Sequence, residues 1–147
     1  MNGHESWNVR LNSILESFGC QTGTIHQVTD ESRMLSLVCQ VGVPDFLLEK
    51  IRSIPFGKGI AGVAAERKEP VELCNLQEDL GGVAKVDARK TGVAGSLAVP
   101  IFSPVSGEVI GTLGIGKFLP YEFTAAEKQR LMDHAHEIAG HFEHKQP

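Results

Sequence analysis

Residues 57–75 read GKGIAGVAAERKEPVELCN, and the fold turns on how the first six of them are taken. Gly57, Gly59 and Gly62 satisfy the G-x-G-x-x-G spacing of a dinucleotide-binding turn, with Lys58 inside the loop as if reaching for a phosphate. That chemistry needs a buried strand before the turn and a long crossover helix after it. The preceding PDFLLEKIRSIPF instead places Phe46, Leu47, Ile51 and Ile54 at helical spacing, and Pro55 interrupts the approach. After Gly62 only VAAERK remains before Pro70, room for about two helical turns and too short for a crossover. The element therefore reads as a glycine-bracketed turn opening a short helix, whose first N–H groups can still face a small anion.

Working outward, Trp7, Leu11, Ile14, Leu15 and Phe18 form one apolar stripe of an N-terminal helix, about 4–18, that Gly19 ends. QTGTIHQVT and RMLSLVCQV, separated by DES, predict a hairpin with Leu35, Leu37, Cys39 and Val41 alternating onto one face. Residues 45–67 read as short helical pieces and PVELC as a third strand. The polar stretch NLQEDLGGVAKVDARKTGV is the lid or loop candidate. In GSLAVPIF, Leu97, Val99 and Ile101 point one way and Ser96, Ala98 and Pro100 the other. In VIGTLGIGK, Val109, Gly111, Leu113 and Ile115 share one face, and Ile110, Thr112, Gly114 and Gly116 the other. A strand carrying three glycines implies close backbone approach or open space beside the sheet. Thr124 and Glu127 supply a capping box for a C-terminal helix, about 124–143, with Leu131, Ala135, Ile138 and Phe142 as its stripe. The predicted class is α+β: a central antiparallel sheet with both terminal helices on one face.

The 147 residues suit a single domain, 1–147, with a core of about 20–118 between the helices. A hydrophobic share of 41% and a charged share of 22% are globular values. With net charge −4 and no basic run, neither nucleic acid nor membrane is an expected partner. Cys20, Cys39 and Cys74 lack CxxC spacing and read as reduced thiols of a cytoplasmic protein. His134, His136, His141 and His144 crowd the last helix; the spacing of His141 with His144 and with Glu137 permits a surface metal pair. HExxH is absent, a solvated face is the default, and no metal site is assigned.

GTIHQV, RMLSLVCQVGVP, GKGIAGVAAERKEPV, SLAVPIF, VIGTLGIGK and YEFTAAEKQRLMDHAHEIA, in that order and spacing, resemble a GAF domain from about Trp7 to Phe142. The resemblance implies that loops and short helices on the second sheet face enclose a small-molecule pocket, with GKGIAG as the helix beside it. Gly59, Ile60, Gly62, Ser96, Ala98, Thr112 and Gly114 are its implied wall, together with the 80–95 loop. The cyclic-nucleotide signature of such proteins is met only at Lys117, Phe123 and one acid, Glu127, because Gly116 and Lys128 depart from it. A bilin would need a cysteine in residues 80–95, and haem an axial ligand, for which only His26 qualifies; the cofactor stays unassigned. Relatives that reduce free methionine-R-sulfoxide carry cysteines where this chain has Ala61 and KVDARKTG, so the sequence reading is that the chain is not an enzyme. The expectation is a sensory domain that binds an unidentified small molecule and signals through a homodimer of terminal helices or a partner protein. The alternative is a ligand-free dimerisation module whose pocket is plugged by side chains such as Val99 or Ile110. Trp7, Leu11, Phe18, Leu131, Ile138 and Phe142 form the apolar pool for core and dimer contacts.

Overall fold

The computed structural model describes residues 3–29, 33–73 and 93–144. In chain order these form α1 (Gly3–Phe18), β1 (Thr22–Thr29), β2 (Met34–Val41), α2 (Asp45–Ile51), β3 (Ser53–Pro55), α3 (Gly59–Arg67), β4 (Val71–Leu73), β5 (Gly95–Phe102), β6 (Val109–Lys117) and α4 (Ala125–His144). Every strand pair is antiparallel, in one six-stranded sheet of order β3-β2-β1-β6-β5-β4. Residues 74–92, which include Cys74 and all of the lid candidate except Val93, lie outside the described residues. No described helix is long and apolar enough to cross a membrane.

One face of the sheet carries the main core. Ile25, Leu97, Val99, Ile101, Leu113 and Ile115 point toward α1 and α4 and meet the stripes predicted for both helices. All six residues of the apolar pool are buried there, so a dimer built from the terminal helices would have to use other side chains. The two helices run antiparallel and are tied at several points. Trp7 packs on Phe142 with ring centroids 5.2 Å apart, Arg10 pairs with Glu137, and Arg130 lies over the Phe18 ring while donating to the Ser17 carbonyl. The capping box forms as read: Glu127 N–H donates to Thr124 Oγ1 at 3.0 Å, and Thr124 N–H to Glu127 Oε1 at 2.9 Å.

Two bulges correct the predicted strand faces. The β5–β6 register passes from Ile101↔Gly111 to Phe102↔Val109, leaving Ile110 unpaired. Ile110 therefore packs on the helix-side core, and Val109 joins Leu35 and Ala65 on the other face. On β2 the register passes from Cys39 to Leu37, skipping Val38. Cys39 and Val41 consequently reach the helix side, whereas Leu35 is buried on the opposite one. Strict alternation could not foresee either inversion, because one extra residue reverses every side chain beyond it. The short strand β3 was also absent from the helical reading of 45–67; it pairs with β2 at Leu35↔Ile54.

The opening glycines are explained by this geometry. Gly57 and Gly59 have φ of 89° and 63°, and Gly57 N–H donates to the Gly62 carbonyl at 2.8 Å. A Cβ on Gly62 would lie 2.5 Å from the Pro55 carbonyl oxygen. The motif is a closed turn folded onto β3. On β6, a Cβ at Gly111 would strike the His26 carbonyl oxygen and lie 2.9 Å from Phe142.

His26 is the one fully buried imidazole among the described residues, and its Nε2–H donates to the Ile51 carbonyl at 2.9 Å, tying β1 to the end of α2. Burial pushes its pKa below the usual 6.5, only partly offset by that bond.

Gly111→Ala is expected to destabilise the chain by about 2–3 kcal/mol through the clash with β1 and α4, against about 1 kcal/mol for Thr124→Ala, which removes only the cap. Urea unfolding of both variants measures the order; equal losses would contradict the packing account. Between 6.5 and the lowered native value the unfolded chain binds a proton that the folded chain refuses. Stability is therefore full above 6.5 and declines as pH falls through that window. Thermal scans from about pH 7 to about pH 5 should show a fall that is smaller in His26→Gln.

Candidate functional site

Cross-strand registers build the second face of the sheet from rows of small residues. Ser96 lies opposite Gly116, which lies opposite Thr22; Ala98 lies opposite Gly114, which lies opposite Thr24. Neither row contains a side chain larger than threonine, so the sheet surface is hollow there. The next row, Pro100, Thr112 and His26, is bulkier. Above the hollow run α2, β3 and the first turn of α3, which α3 holds to the sheet by packing Val63 and Ala64 on Val71 and Ala98. Between floor and roof lies a cavity of about 470 Å³.

Its lining is mainly apolar, with Leu47, Ile51, Ile54 and Ile60 above and Gly114 and Ala98 below. The polar groups are few: the hydroxyls of Thr22, Thr24, Ser53 and Ser96, and Lys50 and Lys58 with exposed side chains; His26 borders the cavity, but its side chain is buried behind the surface. Because a carbonyl only accepts, the bond to Ile51 fixes His26 Nε2 as the protonated nitrogen. Nδ1 is then a lone-pair acceptor, and it is buried with no hydrogen-bond partner among the described residues. Lys58 stands at the N-terminus of α3, where no side chain caps the helix and the first turn holds no acid. That end carries the positive pole of the helix and faces the cavity through Gly59, Ile60 and Ala61.

Of the residues expected at the pocket, Gly59, Ile60, Ser96, Ala98 and Gly114 line this cavity. Gly62 lies behind it in the turn. Thr112 is buried opposite His26 but is not part of the lining, and its hydroxyl also lacks a described partner. Sequence reasoning passed over Thr22, Thr24, Leu47 and Lys50, and singled out Lys58 without placing it at the pocket. The β1 residues carried a readable signal, since Thr22, Thr24 and His26 fall at period two, whereas the roof depends on how α2 and β3 fold back. Val99 and Ile110, the plugging side chains of the ligand-free alternative, both pack on the helix side.

Cys20 and Cys39 also belong to the helix side, and burial raises both thiols to about 11, so they stand protonated and away from the cavity. No group of three or more His, Cys, Asp or Glu converges among the described residues. His141 bonds Arg10 at 2.7 Å and stands edge-on to Trp7, and His134 stands edge-on to Phe18. The side chain of His144 lies outside the described set.

Solved structures share this architecture. The GAF domain of an Acinetobacter phosphoenolpyruvate-protein phosphotransferase is 19% identical with a TM-score of 0.77, over 96% of this chain and 82% of that one. A domain of a candidate two-component sensor histidine kinase from Sinorhizobium meliloti 1021 is 16% identical with a TM-score of 0.73, over 97% and 93%. A free methionine-R-sulfoxide reductase from Neisseria meningitidis, solved with its substrate, is 22% identical with a TM-score of 0.72, over 90% and 73%. The last corrects the sequence reading that the chain is not an enzyme. This fold houses enzymes, and missing cysteines at two positions do not exclude catalysis; at such identities the likeness carries the fold and no activity. No curated protein matches the chain in sequence. The sequence profile of the GAF domain, however, matches residues 10–142, nearly the whole chain, and with the sheet order and helix placement above it establishes that the chain belongs to the GAF domain family.

Proposed function

We propose that this chain is a regulatory GAF domain that binds a small molecule in the cavity between the sheet and the α2–β3–α3 roof. The observation that carries the reading is the cavity itself: about 470 Å³, largely apolar, with a few convergent polar groups. A ligand-free module would fill that space with side chains, and the two best candidates, Val99 and Ile110, are turned to the other face. The solved domain from a candidate sensor kinase lends the regulatory part of the reading support by analogy of fold alone. The ligand acts by population shift, binding one arrangement of roof and sheet better than another. Its occupancy is passed to a protein partner or a second copy in the cytoplasm.

Native beside denaturing mass spectrometry on the protein purified without additions tests this reading. A retained mass that is lost on denaturation is the expected result. Ser96→Trp should abolish that mass with the fold intact. Ser96 is half-buried at the cavity wall, a better position than Ala98, which is packed under α3 against Val63 and Ala64. An unchanged adduct in Ser96→Trp would place the ligand elsewhere.

A further inference from the structure

The wall of the cavity decides what can be buried against it. Its broad surfaces are hydrocarbon: Leu47, Ile51, Ile54 and Ile60 above, with Ala98 and Gly114 beneath. Val93 closes one side, packed with Ile60 and Leu73. The threonine hydroxyls of the floor do little to offset this. Thr22 Oγ1 would stand 2.6 Å from a Cβ on Gly116, and Thr24 Oγ1 3.1 Å from one on Gly114, so both lie low over bare β6 backbone. The orphaned atoms of His26 and Thr112 belong to residues paired across β1 and β6, and they are buried beneath the surface, out of a ligand's reach. Ser96, half-buried on the wall, is the hydroxyl left open to a ligand's body. Charge is met no better. No described lining residue is acidic, and the side chains of Lys50 and Lys58 are exposed, where water screens them. An ion drawn against this wall would lose hydration and gain no buried counter-charge.

Size narrows the class further. A dry apolar cavity of about 150 Å³ takes up benzene, and the space here, about 470 Å³, holds roughly three such rings. Resting on the pocket reading above, we propose that the ligand is an uncharged hydrophobic molecule of that bulk with at most one hydrogen-bonding group, which Ser96 meets. Its body lies on Gly114 and Ala98 under the isoleucines of the roof, and its affinity comes from the apolar area removed from water. Amino acids, organic acids and nucleotides are selected against by the cost of stripping their charges of water.

Fluorescence and calorimetric titrations of the full chain with a pair of dyes sharing one ring skeleton test the assignment. N-phenyl-1-naphthylamine is uncharged, and 8-anilinonaphthalene-1-sulfonate adds an anion to it. The uncharged dye should bind with a negative heat-capacity change, and the sulfonate at least about tenfold more weakly. Decan-1-ol should displace the uncharged dye, whereas decanoate and decylammonium at the same concentration should not. Ser96→Trp should abolish binding. The methyl resonances of Ile51, Ile54 and Ile60 should move with the uncharged dye, a readout that requires no substitution. Equal or tighter binding of the sulfonate, or displacement by either ion as readily as by the alcohol, would overturn the ligand class and leave the pocket standing. Failure of both dyes and the alcohol to bind, or binding that leaves those methyl signals unmoved, would overturn the pocket reading with it.

Discussion

The contact between Phe142 of α4 and the bare backbone of Gly111 on β6 sets the terms for the rest of the molecule. It lets the C-terminal helix lie close to a central strand, which brings Trp7 of α1 onto Phe142 and draws both helices over one sheet face. Once they are seated, most of the large apolar side chains of β1, β5 and β6 pack on that side, with Val28, Phe102 and Val109 on the other. Burial of that much apolar area, at about 25 cal/mol per Å², supplies the main driving force for folding. The opposite face is then free to remain partly unfilled. Glycines on one strand thus act in two opposite senses: Gly111 admits a helix, and three residues later Gly114 leaves a floor.

The cavity follows from that division and from the registers across β1, β6 and β5. Two rows limited to glycine, alanine, serine and threonine cannot fill the space under the roof, and α3 is held off by its own contacts with Val71 and Ala98. His26 closes the hollow at one end. Its bond to Ile51 fixes both the position of α2 and the tautomer of the ring, so one hydrogen bond couples the architecture of the roof to the chemistry of the floor.

Much of this was legible in the chain. The terminal helices could be read because their apolar stripes are long and regular and their ends carry explicit signals, Gly19 for one and the Thr124–Glu127 box for the other. The pocket-facing positions of β5 could be read because Ser96 and Ala98 alternate cleanly with Leu97 and Val99. The faces of Val109, Cys39 and Val41 could not, because a bulge at Ile110 or Val38 leaves no mark in composition. Nor could the roof: β3 has three residues, and what makes it a strand is a pairing with β2 across a separation that no local pattern encodes. Gly62 was read as a pocket residue for the same reason, since only the fold shows that it is pressed against Pro55.

What the fold neighbours share with this chain is therefore the scaffold, and a scaffold alone fixes no chemistry. In this chain the two described thiols are on the packed face and stay protonated, while the hollow face carries hydroxyls and lysines. The two faces are nonetheless one residue apart. Gly114 and Thr24 floor the cavity, and their immediate neighbours Leu113, Ile115 and Ile25 are buried under α1 and α4. Because that core is close-packed, a shift of the floor strands cannot be absorbed locally and must be taken up by the helices that cover them. Under the function proposed above, the arrangement that keeps the pocket open is also the one that would carry its occupancy to the helices on the far face.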